Sequence, residues 1–334
     1  EPPYELTEAD PCRYGPWATR EWVSDKVKEA YGWNNVVSYP NSNMPRARPV
    51  QPIPNEGIVN LLLEKGCQLG FHNGWEGPNW FWDKNENLGN SYGSFKRPKY
   101  HGHVHREIEN LMSHAGLLYW PFAKFVIKGP DAVAKLDNVL ANTLPAVGRC
   151  NLSHMLTPKG KVYSEVTVAR IAEDEFYIVS YPEMQFHDMR WLKQHLGVWD
   201  GTFNGEVLDA TNEWGVLMLN GPAAGDILTT HSNYDFKDLK NFKTYAWKEV
   251  KLFGDIDVRA LRVSFTGEHG WELHMKQDDV PKLYKKLFEA DSKLSDWGGI
   301  AMNSFRMEKG IRSFSKDFTK DTFTFGRLML MART

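Results

Sequence analysis

The stretch from Leu261 to Met275 constrains the chain more than any other. Alternation puts Leu261, Val263 and Phe265 on one strand face and Ala260, Arg262 and Ser264 on the other. Gly267 and Gly270 suit a tight turn, because a glycine reaches positive φ without a Cβ clash. A hairpin is expected, with a returning strand that carries Glu272. Its strands then aim Phe265 and Glu272 into one space, where a carboxylate facing an aromatic ring can receive a flat heterocycle bearing N–H donors. The plainer alternative is an ordinary hairpin with a solvated glutamate.

Around this hairpin the periodicity predicts short helices at 58–65, 105–112, 184–196, 279–290 and 301–310, and one at 131–140 introduced by Pro130. Strands are predicted at 122–128, 161–171, 176–181 and 215–219, and Gly221-Pro222 opens a further helix to His231. Antiparallel strands with helices packed to one side give an α+β fold. Trp17 to Trp33 reads as one amphipathic helix, followed by a Pro- and Asn-rich connector to Pro54. On the 161–171 strand, Tyr163, Glu165 and Thr167 are expected on one face, opposite Val162, Ser164, Val166 and Val168. The face carrying Glu165 is that of a strand lining a polar cavity.

Charge excludes several partners. A formal net charge of −2 without a run of one sign gives no footprint for nucleic acid or an anionic membrane. No apolar run reaches the roughly 18 residues a membrane span needs. Cys12, Cys67 and Cys150 are odd in number and widely spaced, so they read as reduced, inert thiols. His101, His103, His105 and His114 lack a carboxylate or cysteine to complete a compact ligand set, so no metal is expected. No Gly-x-Gly-x-x-Gly follows a strand, so these residues are not expected to hold a flavin alone. The start lacks an initiator methionine, a signal core and a transit peptide, and is not expected to be the start of the gene.

The run Arg262 to Leu273 resembles the R-x-S-Y-T-G-E-x-G-W-E-L motif of folate-binding aminomethyltransferase domains, those of the glycine-cleavage T-protein and the dimethylglycine and sarcosine dehydrogenases. Gly74 to Phe81, Pro121 to Phe125, Asn151 to Tyr163 and Ala301 to Lys309 match in the same order, and the dimethylglycine dehydrogenase branch is most similar. The resemblance implies a three-lobed fold around a tetrahydrofolate. It divides the chain into residues 1–55, the tail of a flavin domain and its linker, and 56–334, the folate-binding region. FAD would belong to an upstream domain. The implied site residues are Glu165 at the reactive end of folate, Glu272 on the pterin N–H pair, Phe265 for stacking and Arg306 on the p-aminobenzoyl-glutamate end. The implied activity is one-carbon transfer from an N-methyl amine-derived iminium to tetrahydrofolate, in the mitochondrial matrix.

Three departures qualify it. Phe265 stands where the family has tyrosine, and Leu118 where an aspartate is expected. The residues after Thr322 leave the family pattern, so the C-terminal barrel lobe is expected to be truncated. Two other readings therefore stay open. One is a scaffold that serves a larger mitochondrial complex without catalysis. The other is a free-standing aminomethyltransferase, which leaves the Tyr4 to Arg48 segment unexplained.

Overall fold

The computed structural model describes residues 56–72, 75–83, 97–98, 100–314, 316–320 and 322, with residues 15, 18–21, 23–25, 27 and 28 near the start. Cys12, the connector and the last residues lie outside these. Of the helix expected between Trp17 and Trp33, residues 20, 21, 23–25, 27 and 28 are helical, and 17, 22, 26 and 29–33 lie outside the described residues. Two antiparallel sheets carry the fold. The first has the order β10-β11-β12-β9-β3-β13: Trp247–Leu252, Ile256–Leu261, Gly270–Lys276, Trp214–Asn220, Gly116–Tyr119 and Ser295–Asp296, the last pairing in parallel. The second has the order β5-β6-β7-β4-β8: Cys150–Leu156, Val162–Ala172, Glu175–Ser180, Ala123–Lys128 and Glu206–Asp209. A separate hairpin pairs β1, Cys67–His72, with β2, Trp75–Phe81. No helix among the described residues is long and apolar enough to cross a membrane.

Strand alternation decides which residues meet the helices. On the outer face of the first sheet, Leu217, Leu219, Trp271, Leu273 and Met275 pack on Ile58 and Leu62 of α1 (Glu56–Glu64), on Ile227 and Leu228 of α5 (Ala224–Thr230), and on Leu283 and Leu287 of α6 (Val280–Ala290). On the outer face of the second sheet, Phe125, Val166, Val168 and Ile178 pack on Leu136 of α3 (Ala132–Val139) and Trp191 and Leu192 of α4 (Gln185–Leu196). Helices thus cover both sheets, not one side alone, while the α+β class holds. The inner faces meet where Leu261 and Val263 pack on Cys150, Ala169, Tyr177 and Val179. Beside that contact, Leu118, Val216 and Met218 pack on α2 (His101–Ser113) and α7 (Gly299–Glu308) through Val104, Leu111, Met302 and Phe305.

Two local readings change. The 161–171 strand carries a bulge where Met155 pairs with Ser164 but Leu156 with Val162, leaving Tyr163 as the extra residue. Tyr163 therefore leaves the Glu165 face and stacks on Trp191 at 3.9 Å, its hydroxyl donating to the His187 carbonyl at 3.1 Å. The helix expected from residue 105 starts at His101, so His101 and His105 stack one turn apart while His103 is buried against Trp80.

Glu107 of α2 ties this corner together. Its two oxygens accept Phe81 N–H at 2.6 Å and Gly298 N–H at 3.0 Å, and burial, partly offset by these donors, pushes its carboxyl up to about 8. Gly298 can make this approach only without a side chain, because a Cβ there would lie 2.2 Å from the Asn79 carbonyl oxygen. Gly298→Ala is expected to cost about 3 kcal/mol of stability, read by urea unfolding, since backbone and not a flexible side chain must move.

Candidate functional site

A cavity of about 270 Å³ opens where the inner faces of both sheets meet α7. Glu165 and Thr167 of β6 form one wall, with Ser180 to Glu183 at the end of β7. Glu272 of β12 and Val263 to Phe265 form the opposite wall, and Trp120, Phe122, Met302 and Asn303 close the side. Ile311, Arg312, Ser313 and Lys316, in the segment after α7, reach it from outside. Rings and aliphatic groups enclosing two buried carboxylates make a pocket for a flat, partly apolar ligand that carries N–H donors or positive charge.

The structure brings Glu165, Glu272 and Phe265 together at this cavity. The hairpin that delivers two of them is looser than its alternation implies. Strand β11 ends at Leu261, and residues 262–269 form an eight-residue bend before β12. Gly267 takes positive φ, +71°, whereas Gly270 is needed for close approach, since a Cβ there would lie 2.4 Å from the Leu219 carbonyl oxygen. Glu272 pairs in register with Leu261, not Phe265, and shares its sheet row with Met218 and Leu118.

Each carboxylate has its own support. Glu165 is buried, and its Oε2 accepts from His154 Nε2 at 3.0 Å while its Oε1 accepts the Tyr181 hydroxyl at 3.0 Å. Glu272 is buried as well, and burial pushes its carboxyl up to about 8. Its Oε2 meets His274 Nε2 at 3.2 Å, and Oε1 has no partner among the described residues. Below the floor, Asp188 of α4 accepts the hydroxyls of Ser180 and of Ser164, the latter at 3.0 Å, and burial lifts it to about 7. That bond holds the Ser180 hydroxyl behind the sheet, on the side of α4.

Arg306 is not brought to the cavity. It is 4% exposed, and its Nε donates to Asn303 Oδ1 at 2.9 Å while Nη1 donates to the Ile311 carbonyl at 3.0 Å and to Asp317. The helix points this guanidinium at its own C-terminal segment, and Arg312 stands at the cavity instead. Sequence reasoning also passed over His154, Tyr181 and His274. The i, i+2 spacing of Glu272 and His274 on one strand face was the available signal for the last of these.

The family described as GCVT N-terminal domain matches residues 58–329, and that described as FAD dependent oxidoreductase central domain matches residues 1–51. Mitochondrial dimethylglycine dehydrogenase of Mus musculus is 37% identical over 325 residues, 96% of this chain and 36% of that protein. Aminomethyltransferase of Bacillus cereus is 27% identical over 235 residues, 69% of this chain and 62% of that protein. The chain thus spans little more than a third of the dimethylglycine dehydrogenases it matches. The crystal structure of glycine cleavage system aminomethyltransferase T from Bartonella henselae superposes with a TM-score of 0.66 at 23% identity, covering 80% of this chain and 66% of that one. That likeness bears out the fold expected from the motifs. The family match takes in both sheets and the cavity between them, and the chain belongs to the GCVT N-terminal domain family.

Proposed function

We propose that the cavity binds tetrahydrofolate and that the chain is the folate-binding module of a dimethylglycine-dehydrogenase-like protein. The observation that carries this reading is Glu272, a buried carboxylate with one oxygen unpartnered, set in a cavity that Phe265 also lines. Glu272 then accepts the pterin N–H pair through parallel charge-assisted bonds, and Phe265 packs on the ring. Tetrahydrofolate supplies the two nitrogens that take a one-carbon unit from an N-methyl amine-derived iminium; the bond from that carbon to the donor nitrogen breaks, and the demethylated amine leaves with one of the two protons the folate nitrogens lose, giving 5,10-methylene-tetrahydrofolate. Glu165, held by His154 and Tyr181, stabilises the cationic donor and takes up the other proton. Trp120, Phe122 and Phe265 exclude water that would hydrolyse the iminium. Because Arg306 is held by Asp317, the anionic tail of the ligand is assigned to Arg312 and Lys316 at the cavity edge.

On the same reading residues 1–55 are the tail of a flavin domain and 56–334 the folate region, supported by the match of residues 1–51 to the FAD dependent oxidoreductase central domain. A mitochondrial matrix location is supported by relatives named as mitochondrial enzymes. The test is calorimetric titration of the chain with tetrahydrofolate, where saturable binding is expected. In the protein that includes the flavin domain, Glu165→Ala is expected to leave that affinity within a few-fold and slow methylene-tetrahydrofolate formation about 100-fold. A second reading, a scaffold without catalysis, is favoured by Leu118, which fills with a buried aliphatic group the position of the family's aspartate. No binding by a well-folded chain would select it.

A further inference from the structure

Behind Glu272 lies a row of buried polar groups that the one-carbon chemistry does not use. His274, two residues along β12 on the same face, is fully buried, and its ring nitrogens lie 3.2 Å from Glu272 Oε2 and 3.1 Å from the Tyr177 hydroxyl of β7. We propose that His274 is a positioning residue for ligand capture: its Nε2–H donates to Oε2 of the ionised Glu272, and the Tyr177 hydroxyl, donating to Nδ1, holds that tautomer. The inference rests on the reading that a ligand donates an N–H pair to Glu272.

A carboxylate that accepts two ligand N–H groups must be ionised, yet burial holds the carboxyl of the empty site at about 8. At neutral pH the ligand must therefore displace a proton, and a third donor lowers the cost of doing so. His274 meets that need as a neutral ring, because burial first, then the charges of Lys124 and Arg259, hold it well below its ordinary value. A neutral imidazole carries one N–H, so its two bonds are tied: an acceptor at Nδ1 makes Nε2 the donor. Tyr177 keeps its proton through burial and so is available to donate.

The other groups around this row leave the role to His274. Cys150 of β5 is a buried thiol pushed up to about 12, mainly by burial, and stays neutral. Lys124 of β4 is buried and brought down to about 7 by desolvation against Asp209. Arg259 of β11 is boxed by the rings of Tyr177, Trp214 and Trp247 and paired with Glu249 at 3.3 Å. Glu165 of β6, on the opposite wall, is held by His154 and Tyr181. Among these, only His274 is hydrogen-bonded to Glu272.

The test separates the network from the ligand. The Glu272 carboxyl is titrated in the ligand-free chain by the infrared band of its protonated form, assigned by subtraction of the Glu272→Gln spectrum. His274→Phe is expected to raise the midpoint by about one pH unit, Tyr177→Phe to raise it less, and His274→Gln, which keeps an N–H near the Nε2 position, to restore it. Tetrahydrofolate affinity then loses about tenfold at pH 7 in His274→Phe and recovers toward pH 9, a pH profile that mere loss of packing would not produce. A Glu272 midpoint that is the same in all four folded proteins overturns the proposal, and His274→Gln with Tyr177→Phe decides it if the phenylalanine variant fails to fold. Failure of the wild-type chain to bind tetrahydrofolate overturns the folate reading instead, and the ligand-free titration still decides the role of His274.

Discussion

Glu272→Gln is expected to weaken tetrahydrofolate binding at least 100-fold and, in the same chain, to stabilise the empty fold at alkaline pH. The first effect follows from two charge-assisted hydrogen bonds worth about 1.5–3 kcal/mol each, one of which becomes a donor facing a donor. The second follows from linkage. The Glu272 carboxyl sits at about 8 in the folded chain, above the 4.5 of an unperturbed glutamate, so between these values the folded state binds the extra proton. Stability therefore falls as pH rises through that window, by up to about 1.4 kcal/mol per unit, and levels off above it. Glutamine removes this contribution and flattens the profile. Glu107, lifted to about 8 in the same direction, keeps a residual slope in the variant. Urea unfolding at pH 5, 7 and 8.5 checks the sign: a variant less stable than the parent at pH 8.5 would mean that Glu272 is stabilised as a carboxylate even without ligand.

What the sequence disclosed divides along a physical line. Helices with one apolar face were legible because the period of their apolar residues is the burial pattern itself, as in Val280 to Ala290, while Trp214 to Asn220, buried on both faces, was legible as a short apolar run. Glu165 and Glu272 were legible as carboxylates on strands whose other face is apolar, and the motif in which Glu272 sits was the strongest clue to family. The bulge at Tyr163 was not, because one extra residue leaves the composition of a strand unchanged while reversing a side chain. The pairings His154 with Glu165 and Tyr177 with His274 join residues 11 and 97 positions apart, contacts that only the sheet register creates. Arg306 was placed by motif on a helix, and a helix position fixes direction only within a turn; the chain after it decided what the guanidinium meets.

Asp317→Ala is expected to cost about 3–5 kcal/mol of stability and to weaken tetrahydrofolate binding indirectly. Asp317 accepts from Arg306 and from Ser313 N–H at 2.7 Å, closing a loop that folds residues 311–317 back along α7. Removing the carboxylate strands a guanidinium that is 4% exposed, with only the Ile311 carbonyl and Asn303 left as acceptors. Arg306→Ala should cost less, because the Asp317 side chain is 37% exposed and can turn to water. Arg306→Met, which fills the space without a charge to satisfy, should cost least. The segment these residues clasp carries Ile311, Arg312, Ser313 and Lys316 to the cavity, so affinity should fall in step with stability across the three variants. Unfolding free energy and tetrahydrofolate affinity measured side by side decide between clasp and contact. If Arg306→Ala loses affinity while its stability stays that of the parent, the guanidinium meets the ligand itself and Asp317 is only its partner in the empty state.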